Sequence, residues 1–454
     1  MTSTLDSKVF GTLFGDAEIS QALTDEAYVR ALVEVETALA RAEARVGVIP
    51  QAAANQIANA ADPNKIDLEA LAKGTARSGF PIIALVQEIR KAVGGEAASY
   101  VHWGATTQDI MDTACVLQLR AAIKIYKERL KELARHLSEL ADRHRVTVVA
   151  GRTHGQQALP VSFGLKVAAW LAPLIRHAER LDEISPRLLV VQFGGAAGTL
   201  AALGDQGLAV MHGLADELRL GAPVMPWHSQ RDNLVEFAGW LSLLTGSLGK
   251  MAQDIILLAQ TEVAEVSESA EEGRGGSSTM PQKSNPITSE LILAAARTNA
   301  SSLSALHQAQ IQEHERATHG WQVEWLTLPQ MIVLTGSALK HALYLAKNLQ
   351  IDEQKMRENI MRAGDVILAE AVVFALAKAM PGGKADELVK RACSIAASGG
   401  KPLVEVVRDL AKSTIPDEAI DWQALAAPEN YLGETAKIID RVRKSANSFW
   451  PERS

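Results

Sequence analysis

Cysteine is almost missing: the 454-residue chain has only Cys115 and Cys393. Neither belongs to a CxxC or similar spacing, so no cysteine-built metal or redox centre is expected. Both stand in apolar helical surroundings, where a thiol acts as a small hydrophobe. Aromatics are scarce, at 5% of residues, which favours helix–helix packing over a sheet sandwich. Long apolar runs are absent too: none approaches the roughly 18 residues that cross a bilayer. The opening stretch MTSTLDSKVFGTLFGDAEIS lacks the basic and apolar regions of a signal peptide. Positive charge is the scarcer sign, 46 Lys and Arg against 53 Asp and Glu, for a net charge of -7. That balance argues against nucleic acid as a partner but allows a local basic pocket for an anion. No repeat, low-complexity tract or metal-ligand cluster appears. The expectation is a soluble, reduced, cytoplasmic protein without metal or organic cofactor and without a membrane partner.

What is present is helix. Apolar residues make up 47% of the chain, enough for a large core. Val116, Leu119, Ile123, Tyr126, Leu130, Leu133, Leu137 and Leu140 alternate at spacings of three and four. Leu234, Phe237, Leu241, Leu244, Leu248, Met251, Ile255 and Leu258 repeat the pattern. Each run predicts a helix of at least about 36 Å with one continuous apolar stripe. Similar runs at 161–183 and 322–348 predict an all-α fold around a bundle of long helices. Their flanking positions are also largely apolar, which implies burial on several sides and subunit association. The expected division is an N-terminal helical domain (1–108), a central long-helix domain (109–354) and a C-terminal domain of shorter helices (355–454). Gly194–Gly198 (GGAAG) lacks the spacing and βαβ setting of a dinucleotide loop.

Four polar segments interrupt the helices. In HWGATTQD, Thr106 and Thr107 precede a long helix, with Asp109 as an N-cap candidate. Hydroxyls and free amides there suit a carboxylate or phosphate, although simple capping explains them as well. GRTHGQQALP gathers Arg152, Thr153 and His154 between two helices. A lone loop histidine is usually structural, but this one has several oxygen-binding neighbours. GRGGSSTMPQKSNP combines pliable glycines, the hydroxyls of Ser277, Ser278 and Thr279, and the cation of Lys283. Asn285 and Pro286 follow as an expected N-cap and first helical residue. A cation and a helix N-terminus together suit a carboxylate that gains charge during a reaction. Glu290 lies one turn further on. In QEHERATHGWQVEW, Arg316 is an anion-clamp candidate; His314 and His319 lack a third metal ligand.

GSSTMPQKSNP resembles the signature loop of the fumarase/aspartase superfamily, and the other three segments follow in that family's order and spacing. The resemblance covers essentially the whole chain. It implies an all-α, three-domain homotetramer whose active sites are built from three subunits. It also implies anti β-elimination on a succinyl-type dicarboxylate, usually releasing fumarate, or the reverse addition. Carried over by position, Ser277 is the base, on a lid that closes over substrate. Lys283 and Asn285 hold the carboxylate that becomes an aci-carboxylate. Thr106, Thr107, Thr153 and Gln230 line the dicarboxylate pocket, and Arg152, Ser278, Met280 and Arg316 complete the expected substrate contacts.

Between the motifs the sequence looks most like 3-carboxy-cis,cis-muconate cycloisomerases, as in YVHWGATTQDIMDTACVLQLR, FGGAAGTLAALGDQG and PWHSQRDNLVEFA. It departs from them at two positions. His154 and Glu290 resemble the His–Glu pair of adenylosuccinate and argininosuccinate lyases, in which the imidazole handles the proton of the leaving nitrogen. The primary expectation is therefore a lyase releasing fumarate from a small N-substituted aspartate or related succinyl compound. The cycloisomerase is the alternative. A non-catalytic helical scaffold protein is the alternative of another class. The stretch ARSGFPIIALVQEIR has no histidine, which disfavours a nucleotide phosphate site.

Overall fold

A computed structural model describes residues 3–268, 280, 283–362 and 365–451. The fold is all-α, as the periodicities require. Its principal helices begin with α1 (Asp25–Arg45), α2 (Gln51–Ala60), α3 (Leu68–Ser78) and α4 (Ile82–Val93). The longest, α5 (Thr107–Arg143), has 37 residues, about 55 Å at 1.5 Å per residue. Then come α6 (Phe163–Leu188), α7 (Gly207–Leu218), α8 (Asp232–Leu258), α9 (Ile287–Ala309) and α10 (Gly320–Asn348). The C-terminal part is built from α11 (Glu353–Arg362), α12 (Ala369–Leu376), α13 (Gly382–Gly399), α14 (Leu403–Ala411) and α15 (Thr435–Phe449). All sixteen residues of the two 3-4 stripes on α5 and α8 are buried.

The chain divides into two compact units, each made of three separate segments. The first holds residues 1–130, 177–246 and 294–340; the second holds 131–176, 247–293 and 341–454. Helices α5, α6, α8, α9 and α10 each contribute residues to both. In the first unit, Leu32, Val35 and Leu39 of α1 share a core with Ile57, Leu85, Ile89, Ile110, Phe193 and Leu214. Polar bonds fix the long helices there: Tyr126 Oη donates to Ile332 O at 2.7 Å, and Trp240 Nε1 to His177 O at 2.8 Å. In the second unit, Ile360, Leu368, Val372, Leu376, Val389, Leu403 and Val407 pack with Val148 and Ala150.

Val148 and Ala150 belong to a feature the sequence reading did not foresee. The polar stretch after α5 is an antiparallel hairpin, β1 (Val148–Thr153) with β2 (Gln156–Ser162), paired from Val148↔Ser162 to Thr153↔Gln156. The β-branched run VTVV feeds it. A second pair of two-residue strands joins β3 (Val266–Ser267) to β4 (Gln350–Ile351).

Candidate active site

In the first unit the candidate residues gather around the start of α5. The helix begins at Thr107, three residues earlier than an Asp109 N-cap would require. Asp109 instead lies inside the first turn, fully buried, where its carboxylate is a hub for five donors. The amides of Thr106, Gly194 and Gly195 reach it at 3.0, 2.9 and 2.9 Å; Gln192 Nε2 is at 3.0 Å and His228 Nε2 at 2.8 Å. The bond from the Thr106 amide is the acidic half of a capping box. The glycines of FGGAAG are explained by the same hub. A Cβ on Gly194 would stand 2.6 Å from Pro226 Cβ, and Gly195 adopts φ +69°. Their amides serve Asp109, not a nucleotide.

Thr106 and Thr107 are half-buried. The Thr106 hydroxyl is not used as a cap: it accepts from Arg316 Nη1 at 2.8 Å. Arg316 Nε donates to Gln108 Oε1 at 3.3 Å. Two segments 210 residues apart are thereby joined. Gln230 lies in the turn before α8, exposed, with Nε2 3.4 Å from Met225 Sδ. One turn below Gln108, Asp112 meets Arg231, which is fully buried and also grips Glu324 at 2.8 and 2.6 Å. Burial pushes the Glu324 carboxyl above the usual range, against the opposing pull of Arg231.

In the second unit the hairpin β1–β2 turns at His154 and Gly155, with φ +51° and +76°. Positive φ at both central residues is the mark of a type I′ turn, and it is uncommon for histidine. The turn projects His154 and Thr153 into solvent. Arg152, expected among the substrate contacts, is engaged elsewhere: Nη1 and Nη2 reach the fully buried Glu265 at 2.8 and 2.6 Å. Asn359 Nδ2 adds a bond to Glu265 at 2.9 Å. This bidentate pair balances the Arg152 charge within the protein. Lys166 lies nearby on α6, and burial depresses its ammonium pKa.

The helix behind the polar loop also differs from expectation. Pro286 is not its first residue; the Pro286 carbonyl accepts from Glu290 N at 3.0 Å and α9 starts at Ile287. Asn285 does not cap it. The side chain of Glu268 does: its carboxylate accepts from the amides of Thr288 and Ser289 at 2.9 and 2.8 Å and from Ser289 Oγ at 2.7 Å. The positive end of this helix therefore already holds a carboxylate. Glu290, Lys283 and Met280 are exposed and Asn285 is half-buried; Lys283 N donates to Met280 O at 3.0 Å. Among the described residues no hydrogen bond or ion pair joins His154 to Glu290. Ser277 and Ser278 lie outside the described residues. Sequence reasoning missed Gln108, Asp112, His228, Arg231, Glu265, Glu268 and Glu324. The one local signal was the spacing of Asp109 and Asp112, which puts two acids one turn apart on α5. Among the described residues there is no group of His, Cys, Asp and Glu side chains able to hold a metal ion, and no helix long and apolar enough to cross a membrane.

The all-α, long-helix fold is the one expected of the class, and comparison with known proteins shows the family. Residues 14–298 match the lyase family, and the chain belongs to the fumarase/aspartase superfamily and is an enzyme of that class. The 3-carboxy-cis,cis-muconate cycloisomerase of Pseudomonas aeruginosa is 43% identical over 96% of this chain and 96% of its own length. The crystal structure of the 3-carboxy-cis,cis-muconate lactonizing enzyme from Pseudomonas putida superposes with a TM-score of 0.91 at 39% identity, covering 98% of this chain and 100% of that one. The N-acetyl-S-(2-succino)cysteine lyase of Dickeya dadantii is 35% identical over 98% of this chain and 97% of its own length.

Proposed function

We propose that the enzyme closes 3-carboxy-cis,cis-muconate to its lactone. The observation that carries this reading is near full-length similarity to a cycloisomerase at 43% identity; the hydrogen bond between Arg316 and Thr106 supports it. This reverses the order of the two readings drawn from the sequence, because the scaffold likeness outweighs the two departing side chains. In the reaction one substrate carboxylate oxygen bonds to a carbon of the diene. The electron pair of that double bond moves onto the adjacent carboxylate as an aci-carboxylate. The neighbouring carbon then takes a proton from Ser277, which solvent replaces. Lys283 offsets the charge that the aci-carboxylate gains. Arg316, Thr106 and Thr107 bind a second carboxylate, with Thr153, Gln230, Ser278, Met280 and Asn285 around it.

A second reading is supported by His154 and Glu290. In that reading Ser277 removes the proton beside a carboxylate of a small N- or S-substituted succinate. The electron pair forms the double bond of fumarate, and His154 gives its proton to the leaving heteroatom. Glu290 of a neighbouring subunit would support the imidazole, and the active unit is then a homotetramer with shared sites. Light scattering that gave a monomer mass would remove the shared site. The deciding experiment supplies 3-carboxy-cis,cis-muconate and, separately, N- and S-substituted succinates. Loss of the conjugated diene with the first substrate is expected. Turnover only of the second group, with fumarate as product, would replace the first reading by the second.

A further inference from the structure

Arg316 is held by a neutral amide whose own orientation is fixed on its far side. Gln108 is buried, and both of its amide hydrogens are engaged: Nε2 donates to Asp112 Oδ2 at 3.1 Å and to His228 O at 2.9 Å. Those two acceptors decide which way the amide faces and leave Oε1 toward Arg316 Nε. Asp112 is itself immobilised. Its two oxygens accept from Arg231 at 2.7 and 3.0 Å and from Trp321 Nε1 at 3.0 Å. Arg231 closes the chain on Glu324. Every member lies in the first unit. Guanidinium carries five N–H donors; Arg316 directs one to Thr106 and one to Gln108, and among the described residues the others meet no acceptor.

From this geometry we infer that Gln108 is a positioning residue for substrate binding: its amide, braced by Asp112, presents the free edge of Arg316 to the substrate carboxylate without cancelling its charge. The inference rests on the reading of Arg316 as the anion clamp. A carboxylate at position 108 would grip guanidinium more strongly, but it would neutralise the charge the anion needs. It would also lose the two donors that meet Asp112 and His228 O. An arginine that must find its pose only when the ligand arrives pays in rotamer freedom at that moment. Gln108 therefore acts on affinity and not on the proton-transfer step.

The test measures succinate binding by calorimetry for wild-type enzyme, Gln108→Leu, Gln108→Glu, Arg316→Ala and the Gln108→Leu/Arg316→Ala double variant. It also measures KM and kcat on the substrate that is turned over. Expected are a loss of about tenfold in affinity for Gln108→Leu, the size of one charge-assisted hydrogen bond, and at least as much for Gln108→Glu. A rise in KM should accompany it, with kcat changed by less than about threefold, and no further loss should appear when Gln108→Leu is added to Arg316→Ala. A residue that merely stabilised the fold would cost affinity equally in both backgrounds. Equal losses in both backgrounds, or unchanged affinity in both Gln108 variants while Arg316→Ala binds weakly, overturns the positioning role alone. Should wild type fail to bind succinate, or Arg316→Ala bind it as tightly as wild type, the anion-clamp reading itself falls. Should Gln108→Leu not fold, Gln108→Glu carries the same comparison.

Discussion

At the scale of single residues, the candidate groups divide between those the sequence displays and those that only the fold assembles. Ser277 is a candidate through its position in a stretch that resembles the superfamily's signature loop, and it lies outside the described residues. Replacing Ser277 by alanine is expected to lower kcat by at least about a hundredfold, the usual scale for a proton-transfer group, with the circular dichroism spectrum unchanged. A variant that kept near wild-type turnover would remove Ser277 from the reaction. Arg316 and Thr106 were legible as separate candidates, but their 2.8 Å bond was not, because a contact across 210 residues leaves no local pattern. The same limit hid Arg231, which reads from sequence as one more charged residue before a helix yet lies fully buried between Asp112 and Glu324. Arg152 was expected among the substrate contacts from its place in the GRT segment; its two terminal guanidinium nitrogens bind Glu265, 113 positions away, which no local pattern foretold.

At the scale of elements, the long helices were the most readable part of the molecule. A 3-4 spacing sustained over seven turns has no other physical solution, and every residue of both stripes is buried. The hairpin β1–β2 was harder. Its turn is His154–Gly155 in place of the usual Asn-Gly, so polar chemistry masked a backbone signal. The start of α9 was misplaced by one residue because its cap comes from Glu268, twenty positions earlier. Helix α6 begins in close contact with the end of α5. The Gly164 amide donates to His144 O at 2.8 Å, and a Cβ at Gly164 would lie 2.3 Å from Ala141 O. That acceptor is backbone and cannot swing aside. Gly164→Ala should therefore destabilise the protein by about 1–3 kcal/mol, as overpacking does. Denaturant unfolding with an unchanged midpoint would show that the two helices part at no cost.

At the scale of the whole molecule, stability carries a pH signature from one buried acid. Glu43 on α1 is fully buried, and neither carboxylate oxygen has a hydrogen-bond partner. Burial, reinforced by the nearby carboxylate of Glu36, pushes its pKa up to about 9. Between the ordinary carboxyl range and about 9 the folded chain keeps this proton while the unfolded chain has lost it. Stability must then fall as pH rises through that window, by up to about 1.4 kcal/mol per pH unit, and level off above it. Glu43→Gln should flatten the slope in a series of denaturation midpoints. A wild-type slope equal to that of the variant would mean that Glu43 is ionised in the native state. The division of the chain into two interleaved units has a consequence of another kind. Each unit takes residues from three separated stretches, and five helices belong to both. On the ribosome, the first cannot be completed before residue 340 has emerged, nor the second before the C-terminal segment. No single cut would therefore release either unit as one continuous fragment.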